Sequence, residues 1–335
     1  MLNKKYIILL LFQVLFCYSI FDHTQDFKIP SSTYIASINT ENFYNFYNPA
    51  CNEINKNKYL YSSFGNYFDG ILKNQSIYFS INSNSFKTLN FSIIRSSIDN
   101  IYNTTNAWND DGDGIIDISE INYDNITTFD HNTLGIIISK SFMIEQKKDQ
   151  VKILPIFSNS KLRYGINSKF SFSSVASEKS FSHSFDLGFI YYPANFLNSP
   201  WAPNIGLLIK DFLPYSYWST GQIENKKTLI MMGSSFSIIK NNGSNQNSFY
   251  INSDFNLSDL KYPSIGCEYQ FKDNSNLISF QINSSDIENS LGFIIRLSNQ
   301  FDIGYSFVIP KSNELATSQK IMIGINSDVL NNYIK

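Results

Sequence analysis

The sequence predicts an all-β fold: a transmembrane outer-membrane β-barrel of about fourteen antiparallel strands. Three observations predict it. From Tyr59 onward apolar residues recur at every second position, the period of a strand rather than of a helix. The alternating runs approach the roughly 9–11 residues that a tilted strand needs to cross a bilayer. Aromatic residues are in excess, with 29 Phe, 21 Tyr and 3 Trp making 16% of 335 residues, which suits the interfacial girdles of a barrel.

Composition excludes several other classes. Charged residues are 16% of the chain, against about a quarter in ordinary soluble proteins. A formal charge of −2 does not build a broad nucleic-acid surface. Abundant aromatics and low net charge argue against disorder. Three cysteines without a CxxC pair give neither a disulfide framework nor a zinc site. Three scattered histidines (His23, His131, His183) leave little for metal or triad chemistry. No Walker loop, GxSxG or HExxH is present. The chain is therefore not expected to be an enzyme.

The N-terminus comes first. Residues 1–19 have the pattern of a secretory signal peptide: Lys4 and Lys5, an apolar core from Ile7 to Phe16 broken only by Gln13, and small Ser19 near the cleavage point. The apolar run is short for a membrane span. An uncleaved anchor and lipidation at Cys17 are the alternatives. Without Cys17 the mature chain keeps Cys51 and Cys267, and the sequence leaves open whether they pair.

Residues 59–335 carry the barrel. The alternation predicts strands at 59–69, 76–82, 89–95, 134–142, 162–172, 183–193, 205–212, 228–239, 248–257, 263–271, 277–284, 290–298, 301–309 and 319–327. In 162–172, Leu162, Tyr164, Ile166, Phe170 and Phe172 oppose Arg163, Gly165, Asn167, Lys169 and Ser171. In 183–193, Phe185, Leu187, Phe189 and Tyr191 oppose Ser184, Asp186 and Gly188. In 263–271, Ile265, Cys267, Tyr269 and Phe271 oppose Gly266, Glu268 and Gln270. In 290–298, Leu291, Phe293, Ile295 and Leu297 oppose Gly292, Arg296 and Ser298, with Ile294 an exception. In 301–309, Phe301, Ile303, Tyr305, Phe307 and Ile309 oppose Asp302, Gly304 and Ser306. One face is greasy and the other small, polar or charged. A transmembrane barrel has that dyad pattern, lipid outside and lumen inside. A secreted β-sandwich or propeller also alternates. Asp186 and Glu268 are expected to face the lumen and to oppose Arg163, Lys169 or Arg296.

The very short turn at Asn299–Gln300 belongs on the periplasmic side, where barrel turns are short. Counting back, 83–88, 241–247 and 272–276 are periplasmic, and 96–133 and 213–227 are extracellular. The longest connection thus falls where long loops belong. The segments 143–161 and 194–204 are long for periplasmic turns, and 151–157 has room for a further strand.

Within 96–133 the run from Asn109 to Glu120 fits a twelve-residue calcium loop. Asn109, Asp111, Asp113, Asp117 and Glu120 take positions 1, 3, 5, 9 and 12, Gly114 takes the sharp turn, and the Ile115 carbonyl adds a ligand. Ca²⁺ is a hard cation that takes six to eight oxygens, and carboxylates on alternate residues of a tight loop converge on one point. The flanks are not the two helices of an EF-hand. The expected role is structural: Ca²⁺ orders an extracellular loop. A solvated acidic turn is the alternative.

Asn48-Pro49-Ala50 follows the aromatic run Phe43, Tyr44, Phe46 and Tyr47 and precedes the first barrel strand. In this arrangement the chain resembles the PorV/PorQ group of bacterial outer-membrane proteins, relatives of the long-chain fatty-acid transporter (FadL-like) family. The stretch Asp302-Ile303-Gly304-Tyr305-Ser306-Phe307, the Pro310 loop and Ser318 to Ile325 are similar to that family's closing hairpin. The resemblance implies that residues 20–58 fold into the barrel mouth as a hatch carrying Asn48, Pro49 and Ala50. It implies a location in the bacterial outer membrane, in contact with its lipid. It also implies support for type IX protein secretion, with secreted proteins or translocon components as partners. Its fatty-acid-transporter side implies instead uptake of hydrophobic small molecules. A soluble, secreted calcium-binding β-sandwich is the reading of a different class.

Overall fold

The computed structural model describes residues 48–54, 59–83, 87–107, 120–145, 161–193, 201–224, 228–257, 263–312 and 315–326. The expected signal peptide, most of the expected hatch, and 151–157 lie outside them.

Fourteen strands of the described residues close into one antiparallel ring. They are β1 Tyr59–Tyr67, β2 Leu72–Ser83, β3 Lys87–Asn103, β4 Thr127–Glu145, β5 Lys161–Val175, β6 Glu178–Tyr192 and β7 Trp201–Trp218. The second half is β8 Leu229–Asn242, β9 Asn245–Asn256, β10 Ser264–Lys272, β11 Leu277–Ser284, β12 Glu288–Leu297, β13 Phe301–Pro310 and β14 Ser318–Asn326. Each strand pairs with the next in sequence, and β1 pairs with β14, from Tyr59↔Asn326 to Asn66↔Gln319, to close the circle. Two further residues, Ile223–Glu224, bridge back to Ser216 and Tyr217 of β7. Closure pairs every strand edge, which the membrane interior demands because it offers backbone groups no water.

The ring is inside out relative to a soluble protein. Ile77, Ile93, Leu134, Phe172, Phe280, Ile303 and Ile323 are exposed on the outside. Asn90, Ser139, Asn167, Lys169, Asp186, Glu268, Gln281, Arg296 and Asp302 are buried on the inside. A β-sandwich would bury its apolar faces between two sheets; here they point away from the lumen that the ring encloses. The soluble reading is therefore disfavoured, and the chain is an outer-membrane barrel of the bacterial envelope, bordered by lipid. On β4 the outward apolar side chains run from Leu134 to Ile144. At about 3.3 Å per residue and a tilt near 40°, that band is roughly 25 Å tall, the height of a hydrocarbon layer.

Several strands outrun their alternation. β3 continues to Asn103 and β4 begins at Thr127, so the connection expected over 96–133 narrows to 104–126. β7 likewise reaches Trp218. The β3 and β4 extensions stand beyond the apolar band, where little selects alternating hydrophobicity; on β7 the outward Leu213, Tyr215 and Tyr217 resume the alternation after the bulge at Asp211. At the other end, Ser298 and Asn299 both take φ 53 in the short β12–β13 turn, as a type I′ hairpin requires. The exception Ile294 is an inward residue, 3% exposed, opposite Ser279 and Gly304. Cys51 is buried inside and Cys267 shares the outward face of β10, so the two do not pair with each other.

The closing seam is fastened from the lumen. The Arg296 guanidinium binds both oxygens of Asp302, at 2.8 and 3.2 Å, and the Tyr61 hydroxyl donates to Asp302 Oδ2 at 3.2 Å. Tyr61 reaches across because its seam partner is Gly324, where any Cβ would collide with the Tyr61 ring.

Candidate functional site

Asn48 begins a short 3₁₀ helix, Pro49–Ile54, on the lumen wall. The residue types follow from helix-start chemistry. Asn48 caps it: its Oδ1 accepts from the Ala50 amide at 3.0 Å, and its carbonyl accepts from the Cys51 amide at 2.9 Å. Pro49 takes the first helical position, where a missing N–H costs nothing. Ala50 is wholly buried and packs with Cys51 and Ile190, against Tyr192.

The wall beneath is shaped for this turn. Gly165 of β5 and Gly188 of β6 are direct cross-strand partners. A Cβ at Gly188 would strike Asn48 Oδ1 and lie 2.8 Å from Pro49 Cδ; one at Gly165 would strike the Pro49 carbonyl and lie 2.8 Å from the Ala50 amide nitrogen. The paired glycines form a socket, and the Asn48 amide reaches the Phe189 carbonyl beside it at 3.5 Å. The sequence puts both glycines on the inner face without linking them to Asn48, Pro49 and Ala50. The link is visible only in the register.

One row toward the extracellular side lies a buried charge network. Lys169 of β5 bonds Asp186 Oδ1 of β6 at 2.6 Å and also pairs with Asp211 of β7. Asn167 donates to Asp186 Oδ2 at 3.2 Å, Ser184 donates to Asp211 Oδ1 at 2.8 Å, and the Asp211 amide donates to Asp186 Oδ1 at 2.9 Å. The Lys169–Asp186 pairing matches expectation. Asp211 is the residue that sequence reasoning missed. It sits at φ 52, where the β6–β7 register slips, and that bulge aims its carboxylate inward.

Glu268 differs from expectation: among the described residues it is met by neutral donors rather than by a cation. Its Oε1 accepts from Ser279 and Gln270 at 2.6 Å and from Gln281 at 2.9 Å, while its buried Oε2 has no partner. Arg296, named as a candidate counter-charge, serves Asp302 instead. Arg163 lies over the Tyr192 ring at 5.5 Å. Unpaired buried atoms also occur at Ser235, Asn252, Asn283, Ser290 and Ser306, so each strand from β8 to β13 contributes one such residue. Ser235, Asn252, Gly266, Asn283 and Ser290 are successive direct partners, forming one polar lane along this half of the lumen.

Of the calcium-loop residues, Asn109, Asp111, Asp113, Ile115 and Asp117 lie outside the described residues. Glu120 is described and is 7% exposed. The Asn122 amide donates to the Ala107 carbonyl at 2.8 Å, drawing together the two ends of the segment.

No protein-family model matches the chain, and no curated protein matches it. Solved outer-membrane barrels do. CdiB from Acinetobacter baumannii is 9% identical, with TM-score 0.41, over 80% of this chain and 59% of its own. This chain thus spans less than two thirds of that protein. The Escherichia coli outer-membrane protein Wzi, described as a carbohydrate-binding β-barrel involved in group 1 capsule assembly, is 7% identical with TM-score 0.38, over 83% of this chain and 88% of its own. The KdgM porin, solved with disordered oligogalacturonate, is 6% identical with TM-score 0.30, over 80% and 98%.

Proposed function

We propose that the chain is a sealed outer-membrane barrel of PorV/PorQ type that supports protein secretion, holding secreted proteins or translocon components at the cell surface. Its role in this reading is binding rather than catalysis. The supporting observation is the lumen wall. Its polar side chains are shut from solvent: Asn167, Asp211, Ser279 and Asp302 are 0% exposed. An open aqueous pore would leave such residues wet. A path for hydrophobic cargo would need continuous apolar lining, because unpaired polar atoms disfavour an apolar solute. Polar residues interrupt the inward apolar ones; Ile137, for example, stands between Ser92 and Lys169. Deleting the gene should abolish surface delivery of a secreted reporter cargo and leave long-chain fatty-acid uptake unchanged. Normal secretion with lost uptake would instead establish the transporter-like alternative.

Calcium belongs to the same proposal. Asn109, Asp111, Asp113, the Ile115 carbonyl, Asp117 and Glu120 would hold Ca²⁺ and stiffen the extracellular connection. The bond between Asn122 and Ala107 supports this by closing the base of the loop. Asp111→Ala with Glu120→Ala should abolish calcium-dependent protection of the loop from protease. Identical digestion of the parent with and without chelator would refute the site.

A further inference from the structure

We infer that the outer surface of β3–β6 carries a binding site for a phosphorylated lipid headgroup of the outer leaflet. Two register rows define it. The lower row, Arg95↔Leu134↔Phe172↔Phe181, is apolar apart from Arg95; the upper row, Asn132↔Ser174↔Lys179, is polar. The edge of the hydrocarbon layer therefore runs between them, on the end of the barrel that carries the long 104–126 connection. A recess of about 420 Å³ straddles this edge, lined by both rows. Arg95 and Lys179 stand at its two sides, three strands apart, or roughly 14 Å at the usual spacing. Leu134 and Phe172 form the floor between them, 42% and 47% exposed.

Among the described residues no ion pair holds the charges at this recess, although the field of Arg95 reaches Asp99. Arg95 donates to the neutral Asn132 Oδ1, at 3.2 Å. Among the described residues Lys179 makes no side-chain bond. The described acids nearby have bonding partners of their own. Asp99 holds Lys73 at 2.7 Å, Glu178 accepts from Ser219 at 2.7 Å, and Asp130 accepts from the Asn100 amide at 2.9 Å. Two cations above an apolar floor, at headgroup depth, complement a molecule with acyl chains below and phosphates above. Cations at a membrane surface attract such groups, and guanidinium binds phosphate through paired N–H donors. A neutral zwitterionic headgroup lacks the net charge, and a free anion gains nothing from Leu134 and Phe172.

The test is native mass spectrometry of the full mature chain in neutral detergent, titrated with diphosphoryl lipid A or phosphatidylcholine. Saturable binding of lipid A in preference to phosphatidylcholine is expected. Arg95→Gln with Lys179→Gln should weaken it roughly 30-fold. Lys73→Gln should bind as the parent does, because its cation is committed to Asp99. All variants should keep the folded gel mobility, since these side chains point outward. Equal binding of the two lipids, retained affinity in the double variant, or displacement by millimolar inorganic phosphate would each overturn the site; the last would reveal a simple anion site.

Discussion

Lys169→Met is expected to destabilise the barrel by about 3–5 kcal/mol, the usual cost of removing one partner from a buried ion pair. The substitution keeps most of the side-chain volume but leaves two carboxylates, Asp186 and Asp211, facing each other without a cation. All three side chains are at most 3% exposed, so water cannot take over the role of Lys169. The loss should appear as a lower urea midpoint for the chain refolded into lipid vesicles. Adding Asp186→Asn and Asp211→Asn should recover much of it, because the amides carry no charge to strand. A loss below about 1 kcal/mol would mean that the network is hydrated and that the lumen is open on this side.

Gly188→Val should expel the Asn48-Pro49-Ala50 turn while leaving the strands intact. Valine suits a β-strand better than glycine does, and the collision is with the turn rather than with the wall. Cys51 reports the outcome. Burial pushes its thiol up to about 12, with Asp254 adding to the rise and Arg163 opposing it. A thiol raised that far carries almost no thiolate at pH 8. With the turn seated, maleimide labelling in a Cys267→Ser background should be slow throughout pH 7 to 9, because the thiolate fraction stays small across that range. With the turn expelled, the thiol should return to the ordinary range near 8.5 and labelling should rise at least about tenfold. Rapid labelling of the parent would contradict the socket.

Much of this fold was legible because strand alternation is local. Phe301, Ile303 and Tyr305 against Asp302, Gly304 and Ser306 need no tertiary knowledge to sort into two faces, and the structure keeps that sorting. Even Ile294, which breaks its pattern, stays in register and simply faces inward. What the pattern could not reveal depends on neighbours brought together by closure. Asp211 acquires its role from a bulge, and no periodicity announces a slip of register. The socket needs Gly165 beside Gly188, a pairing of residues 23 positions apart (188 − 165). Arg296 was a plausible partner for Glu268 by charge alone, but the β12–β13 hairpin sets it directly opposite Asp302. The extensions of β3 and β4 escaped notice because they stand beyond the apolar band, and that of β7 because the bulge at Asp211 shifts its alternation.

The arrangement of greasy outside and polar inside is tested most directly by electrophoresis of the mature chain extracted from outer membranes. The account predicts that it resists alkaline carbonate extraction, dissolves only with detergent, and migrates at one position unheated and another after boiling. A chain released into aqueous buffer, with a single mobility before and after boiling, would contradict it.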